Sequence, residues 1–147
     1  MNIQHKAAAL LLVQVPLLGL LGCSEPKPAA APEAHEEVEA IARTEFTESI
    51  ENFFEYEPLH AGKPSQFRIH LTDLTDGAPV AQAEVSLTVR RKAGTEVVAQ
   101  TTAKVGKVTG IYVAQLNVPQ PGEYDVEFRI KNTKLDERLP LSDFKVE

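Results

Sequence analysis

Cys23 is the only cysteine in the 147 residues, and its position assigns its chemistry. It follows Leu20-Leu21-Gly22 at the end of the apolar run from Ala7 to Leu21. A thiol in that setting is the acceptor of a lipobox: cleavage falls between Gly22 and Cys23, and the sulfur becomes a thioether to a diacylglyceryl group. A lone cysteine otherwise reads as a buried thiol or as one awaiting an intermolecular partner. The preceding run separates these readings. Its fifteen residues contain Gln14 and Pro16, follow Lys6 and lead into a small-residue site. A spanning helix needs about 20 apolar residues. A shorter run with a basic start and a small-residue end is a secretory signal peptide.

Residues 1–22 are therefore expected to be removed, leaving Cys23 as a tether to the membrane. Each buried CH₂ contributes about 0.8 kcal/mol, and a single acyl chain holds a protein only marginally. Two or three chains on Cys23 give stable attachment. The expected location is the bacterial cell envelope, facing the periplasm. Ser24 permits the outer membrane, where an Asp at that position would favour the inner one.

Metal chemistry falls to His35, His60 and His70, since His5 lies in the segment to be removed. In His35-Glu36-Glu37-Val38-Glu39 a helix would set His35 and Glu39 on one face, at the i, i+4 spacing that lets side chains meet. Such a face binds a divalent cation weakly, and the plain reading of the same run is a charged, solubilising linker. His70 alternates with Arg68 and Thr72 on a strand pattern, and no Cys, Met or second His follows it at ligand spacing. The guanidinium beside it opposes a cation. Copper(I) is disfavoured because Met1 is the only methionine. His60 sits at the start of a turn.

Catalytic spacings are missing. The sequence has no His-Glu-x-x-His, Cys-x-x-Cys, Gly-x-Ser-x-Gly or phosphate-cradling glycine loop. Carboxylates such as Asp125 and Glu127 alternate with apolar residues, as on the wet face of a sheet. Acid–base work would need an enclosed site that separates their pKa values. No catalytic residue, cofactor or small-molecule substrate is expected.

Without residues 1–22 the chain carries 14 Lys and Arg against 21 Asp and Glu, a formal net charge of −7. Its one basic cluster is Arg90-Arg91-Lys92. An acidic chain with no basic stripe is a poor nucleic-acid binder.

The elements that position these residues come in two parts. Residues 23–45 are rich in Pro, Ala and Glu and hold almost no large apolar side chain. Such a segment cannot bury enough surface to offset the entropy of ordering it. It reads as a linker, extended around Pro26, Pro28 and Pro32, with a second half able to form a marginal helix. Twenty extended residues would reach about 60 Å.

From residue 46 to 147 the pattern has period two. Phe67, Ile69 and Leu71 alternate with Arg68, His70 and Thr72; Val85, Leu87 and Val89 alternate with Ser86, Thr88 and Arg90. Tyr112, Ala114, Leu116 and Val118 share a face, as do Tyr124, Val126, Phe128 and Ile130. With 52–57, 96–104 and 139–146 this predicts about seven strands. Turn residues separate them at 60–64, Asp76-Gly77, Ala93-Gly94, Gly110 and 119–122. Short strands at this spacing predict an all-β, antiparallel immunoglobulin-like sandwich. No Trp and no cysteine pair occur in this region, so an antibody-type domain is not expected.

The stretch 51–74 resembles the N-terminal β-domain of periplasmic adaptor subunits that serve heavy-metal efflux pumps of the resistance-nodulation-division (RND) class. The likeness rests on Phe54-Glu55-Tyr56, on Leu59 and Gly62, on Phe67, and on His70-Leu71-Thr72 with Leu74. Pro79-Val80, Gly110-Ile111-Tyr112 and Pro121-Gly122-Glu123-Tyr124 are similar to that domain's later parts. The resemblance covers about residues 46–147. It implies an envelope efflux setting, with pump or adaptor subunits as partners and a heavy-metal system as context. A complete adaptor continues into a helical hairpin, a lipoyl-like domain and a β-barrel. The expectation is thus a truncated adaptor or a free-standing lipoprotein built from that module.

Three functions follow as expectations. The first is a non-enzymatic lipoprotein that docks onto an efflux assembly. The second is a metal-buffering lipoprotein using His35 and the nearby glutamates, Glu39 among them, with His60 or His70 as a further ligand. The third is a general structural or binding sandwich with no metal link.

Overall fold

The computed structural model describes residues 39–147. Cys23, Gly22, His35, the signal segment and most of the linker lie outside the described residues. Nine strands follow one another: β1 Ile41–Phe46, β2 Ile50–Tyr56, β3 Pro64–Asp73, β4 Glu84–Arg91, β5 Val97–Thr102, β6 Lys104–Val105, β7 Ile111–Asn117, β8 Gly122–Lys131 and β9 Asp136–Val146.

Alternation decides which way each strand faces. Ile50, Phe54 and Tyr56 of β2, Phe67, Ile69 and Leu71 of β3, and Tyr112, Ala114 and Leu116 of β7 are buried. They face Val85, Leu87 and Val89 of β4, Val126, Phe128 and Ile130 of β8, and Leu139, Leu141, Phe144 and Val146 of β9, which are buried too. One sheet has the order β1-β2-β3-β7-β6 and the other β5-β4-β8-β9, with every strand pair antiparallel. Without β1 these are the ABED and C′CFG sheets of the immunoglobulin fold. The predicted sandwich is the observed one.

Aromatic rings fill the centre. Tyr56 stacks on Phe67 at 4.8 Å between centroids, and Phe54 lies 4.9 Å from Phe128. Two tyrosines tie loops to this core. The Tyr124 hydroxyl donates to the Gln120 carbonyl at 2.8 Å, the tyrosine corner of such sandwiches. The Tyr112 hydroxyl donates to the Val80 carbonyl at 2.8 Å and accepts the Ala83 N–H at 3.0 Å. Gly110 lets the loop before β7 come this close: its φ is +83°, and a Cβ there would stand 2.6 Å from Pro79 Cβ.

Three features differ from expectation. Residues 41–45, read as the end of the linker and as marginal helix, form β1, paired in register with Tyr56 to Asn52. The alternation hides this strand because Arg43 faces the interior while Phe46 is 60% exposed. Its backbone bonds come from the edge of β2, and the Arg43 guanidinium closes the gap between the sheets. It lies 4.9 Å from the Phe144 ring and donates to Glu45 Oε1 at 2.6 Å and to the Ser142 carbonyl at 3.2 Å.

The single strand expected over 96–104 is two. At Ala103, whose N–H donates to the Val85 carbonyl at 2.8 Å, the chain leaves β5 in one sheet and starts β6 in the other. With β1, this raises the count from about seven to nine. In β9 the buried positions change phase, from Leu139 and Leu141 to Phe144 and Val146. Asp143, at φ 70°, sits at that step, opposite a register shift between Tyr124 and Val126. This is a β-bulge.

The two poles of the sandwich differ. The chain reaches Ile41 at the pole where Tyr56 ends β2 and where Leu59 bridges Val146. Ala61 N–H bonds the Glu147 carbonyl there at 2.7 Å, and Glu147 N–H bonds that of Leu59 at 2.9 Å. The loops 47–49, 74–83, 106–110 and 132–135 gather at the opposite pole.

Candidate functional site

The residues singled out by the family resemblance fall in two places. Phe54, Tyr56, Phe67 and Tyr124 are interior side chains or the tyrosine corner. Gly62, at φ +75°, turns the chain between β2 and β3, where its N–H donates to the Val118 carbonyl at 2.8 Å. These positions build the sandwich and its turn. Glu55, His70 and Thr72 lie on the outer face of the first sheet. Glu55 stands 3.8 Å from Arg68 in an exposed pair. His70 lies edge-on to Phe53 at 5.4 Å, and its Nε2 has no hydrogen-bond partner among the described residues.

His35 lies outside the described residues, and the metal candidates among the described residues are not brought together. His70 is central in β3, opposite Phe53 and Ile111. His60 is at the other end of the same sheet, beside the turn at Gly62, and Glu39 is exposed ahead of β1. Among the described residues no three His, Cys, Asp or Glu side chains gather as a cation site.

The two outer faces differ in chemistry. On the second sheet Glu127 meets Arg138 at 3.6 Å, and Arg129 meets Asp136 at 3.1 Å. The hydrogen bond from Arg129 holds the Asp136 carboxyl below its usual range. The first sheet instead shows Phe53, Ile111 and Val113, half-buried around His70, with Phe46 at the margin. Sequence patterning underrates this band because each residue occupies the position where a polar side chain is expected.

At the loop pole a cleft of about 240 Å³ opens between the 74–83 and 132–135 loops, lined by Asp73, Asp76, Val80, Gln82, Asn132 and Lys134. Asp73 accepts from the Thr75 hydroxyl at 2.6 Å and from its N–H at 2.9 Å. These bonds hold its carboxyl below the usual range, with Lys134 adding to the effect. Asn132 Oδ1 accepts the Lys134 N–H at 2.7 Å, and its Nδ2 donates to the Ala81 carbonyl at 3.3 Å. The cleft thus offers fixed polar groups of both signs over the apolar edge of Val80. That chemistry suits the recognition of a polar surface. Separate loops assemble it through strand pairing, so no local motif announces it.

No protein-family model matches the chain, and no curated protein matches it. Among solved structures it is similar to the ZirS C-terminal domain, with 15% identity and a TM-score of 0.42 over 97% of this chain and 87% of that one, a distance at which the likeness carries no argument.

Proposed function

We propose that this chain is a non-enzymatic lipoprotein of the bacterial envelope, held by Cys23 and acting by docking its sandwich onto a protein partner. The observation that carries the reading is the polarity of the domain. The chain reaches β1 at one pole, and at the other, where four loops gather, the 74–83 and 132–135 loops enclose a polar cleft. A tether on Cys23 would leave the loop pole facing away from the membrane. The adaptor resemblance supports an efflux assembly as the partner class. Its motif residues lie largely in the core, so that support concerns neighbourhood more than contact.

The anchor is tested by metabolic labelling with radioactive palmitate. The chain is expected to take up label and sediment with membranes, and Cys23→Ala to lose both properties. Unlabelled wild-type chain would refute the tether. Affinity capture from solubilised envelopes, run with and without zinc, cobalt or nickel stress, tests the partner class. Pump or adaptor subunits are expected, and their consistent absence would remove efflux from the proposal.

A further inference from the structure

β1 covers a strand edge that it does not suit. It adds no side chain to the buried core, and the eight strands from β2 onward already complete both sheets of the immunoglobulin arrangement. What it covers is the edge of β2, seven residues long, with Ile50, Phe54 and Tyr56 facing inward. Left open, such an edge is a template for another strand.

The cross-strand pairs show the misfit. Residues directly opposite one another share a face, and opposite charges or matched polar groups there stabilise the pair. On its β3 side β2 is matched: Glu55 stands opposite Arg68, and Tyr56 opposite Phe67. On its β1 side Glu51 stands opposite Phe46 and Glu55 opposite Ala42, so neither carboxylate meets a cation. Glu51 makes no ion pair among the described residues. On the inner face Glu45 stands opposite Asn52. The Glu45 carboxylate is turned to Arg43, at 2.6 Å, and both amide atoms of Asn52 are buried with no hydrogen-bond partner among the described residues. A buried amide without partners is costly. In three of the six β1–β2 pairs, then, β1 leaves the polar group of β2 unanswered.

We infer that β1 is a strap over a strand-addition site, and that this site takes an extended segment of a partner protein in place of β1, antiparallel to β2. The register and the unanswered groups specify that segment. Read in the direction of β1, it carries an apolar residue against Tyr56, a Lys or Arg against Glu55 and an apolar residue against Phe54. A β-branched residue against Phe53, an Asn or Gln against Asn52 and a second Lys or Arg against Glu51 complete it. The guest amide donates to and accepts from Asn52, which satisfies both of its atoms. The two basic residues stand four positions apart on the outer face. In this mode of recognition main-chain bonds supply affinity, and alternate side chains supply specificity.

The strap is lightly fastened. Arg43 is the one β1 side chain that reaches the opposite sheet, over the Phe144 ring at 4.9 Å and to the Ser142 carbonyl at 3.2 Å. The hinge is the 47–49 turn, where Thr47 Oγ1 accepts the N–H groups of Ser49 and Ile50. Since β1 and the guest compete for one edge, apparent affinity scales with the fraction of molecules in which β1 is released.

Fluorescence anisotropy with the full chain and a labelled hexapeptide, Ile-Lys-Leu-Val-Asn-Lys, tests the site. The peptide is expected to bind at least ~10-fold more tightly than its counterpart Ile-Glu-Leu-Val-Asn-Glu. Glu51→Lys with Glu55→Lys should reverse that preference. Arg43→Ala loosens the strap and leaves β2 intact, so it should tighten binding ~10-fold. Thr44→Cys with Phe53→Cys places two thiols directly opposite, within disulfide reach. Oxidised, that chain should bind at least ~10-fold more weakly, and reductant should restore binding. The wild-type chain, with and without reductant, controls for Cys23. No saturable binding even to the Arg43→Ala chain would overturn the proposal. So would equal binding by the locked and reduced forms, or a preference that charge reversal leaves unchanged. Neither the tether nor the loop pole enters this readout, so it stands or falls apart from the proposed function.

Discussion

Asn52 points from β2 into the interior, is 1% exposed, and has no hydrogen-bond partner for either amide atom among the described residues. A buried polar group without partners costs about 1 to 3 kcal/mol, and an apolar residue of the same shape removes that cost. Asn52→Leu is therefore expected to raise stability by about 1 to 3 kcal/mol in urea titration. A loss of stability would mean that the amide is satisfied in solution.

Tyr56 supplies a second test at this scale. Burial pushes its hydroxyl pKa up, against the opposing pull of Arg43. A raised folded-state pKa favours the neutral phenol in the fold. The stability it contributes is complete below 10.0, the ordinary value, and is lost as pH rises through the folded value. Thermal stability is expected to fall above pH 10 through this group, and Tyr56→Phe should flatten that part of the profile.

Among the elements, β1 was the least legible in the sequence. Ile41-Ala42-Arg43-Thr44-Glu45-Phe46 puts its charges inward and its phenylalanine outward, the reverse of the pattern that revealed β2, β3, β4, β7 and β8. Its place depends on Arg43 lying over Phe144 and reaching Ser142, ninety-nine positions along the chain, which no local pattern records. Arg43→Ala is expected to cost about 1 to 2 kcal/mol, as lost cation–π contact and a lost bond to a carbonyl. Thr44→Ala, outward on the same strand, should change stability by no more than about 0.5 kcal/mol. Equal effects would mean that β1 is held by its backbone alone.

The bulge in β9 and the division of residues 96–104 were hidden for a related reason. Period two detects strands but not a slipped phase at Asp143 or a change of sheet at Ala103.

At the scale of the molecule, the sandwich was legible because both inner faces are written as alternating apolar residues. The surface was not. The cleft at Asp73, Gln82 and Asn132 joins residues up to fifty-nine positions apart, and long-range pairing alone brings them together. The motif residues Phe54, Phe67 and Tyr124 turned out to be core and corner, so they describe how the domain holds together rather than what it meets. In the proposed reading contact falls to the loop pole, set opposite the end at which a tether on Cys23 would join the domain.

The most direct test of that arrangement is photo-crosslinking in living cells. A photoreactive amino acid replaces Val108, which is 61% exposed at the loop pole, or Lys63, exposed at the opposite pole. Discrete adducts with envelope proteins are expected from position 108, lost when Cys23→Ala releases the chain, and few from position 63. Adducts equal at both positions, or unchanged by Cys23→Ala, would contradict a tethered module that docks through its distal loops.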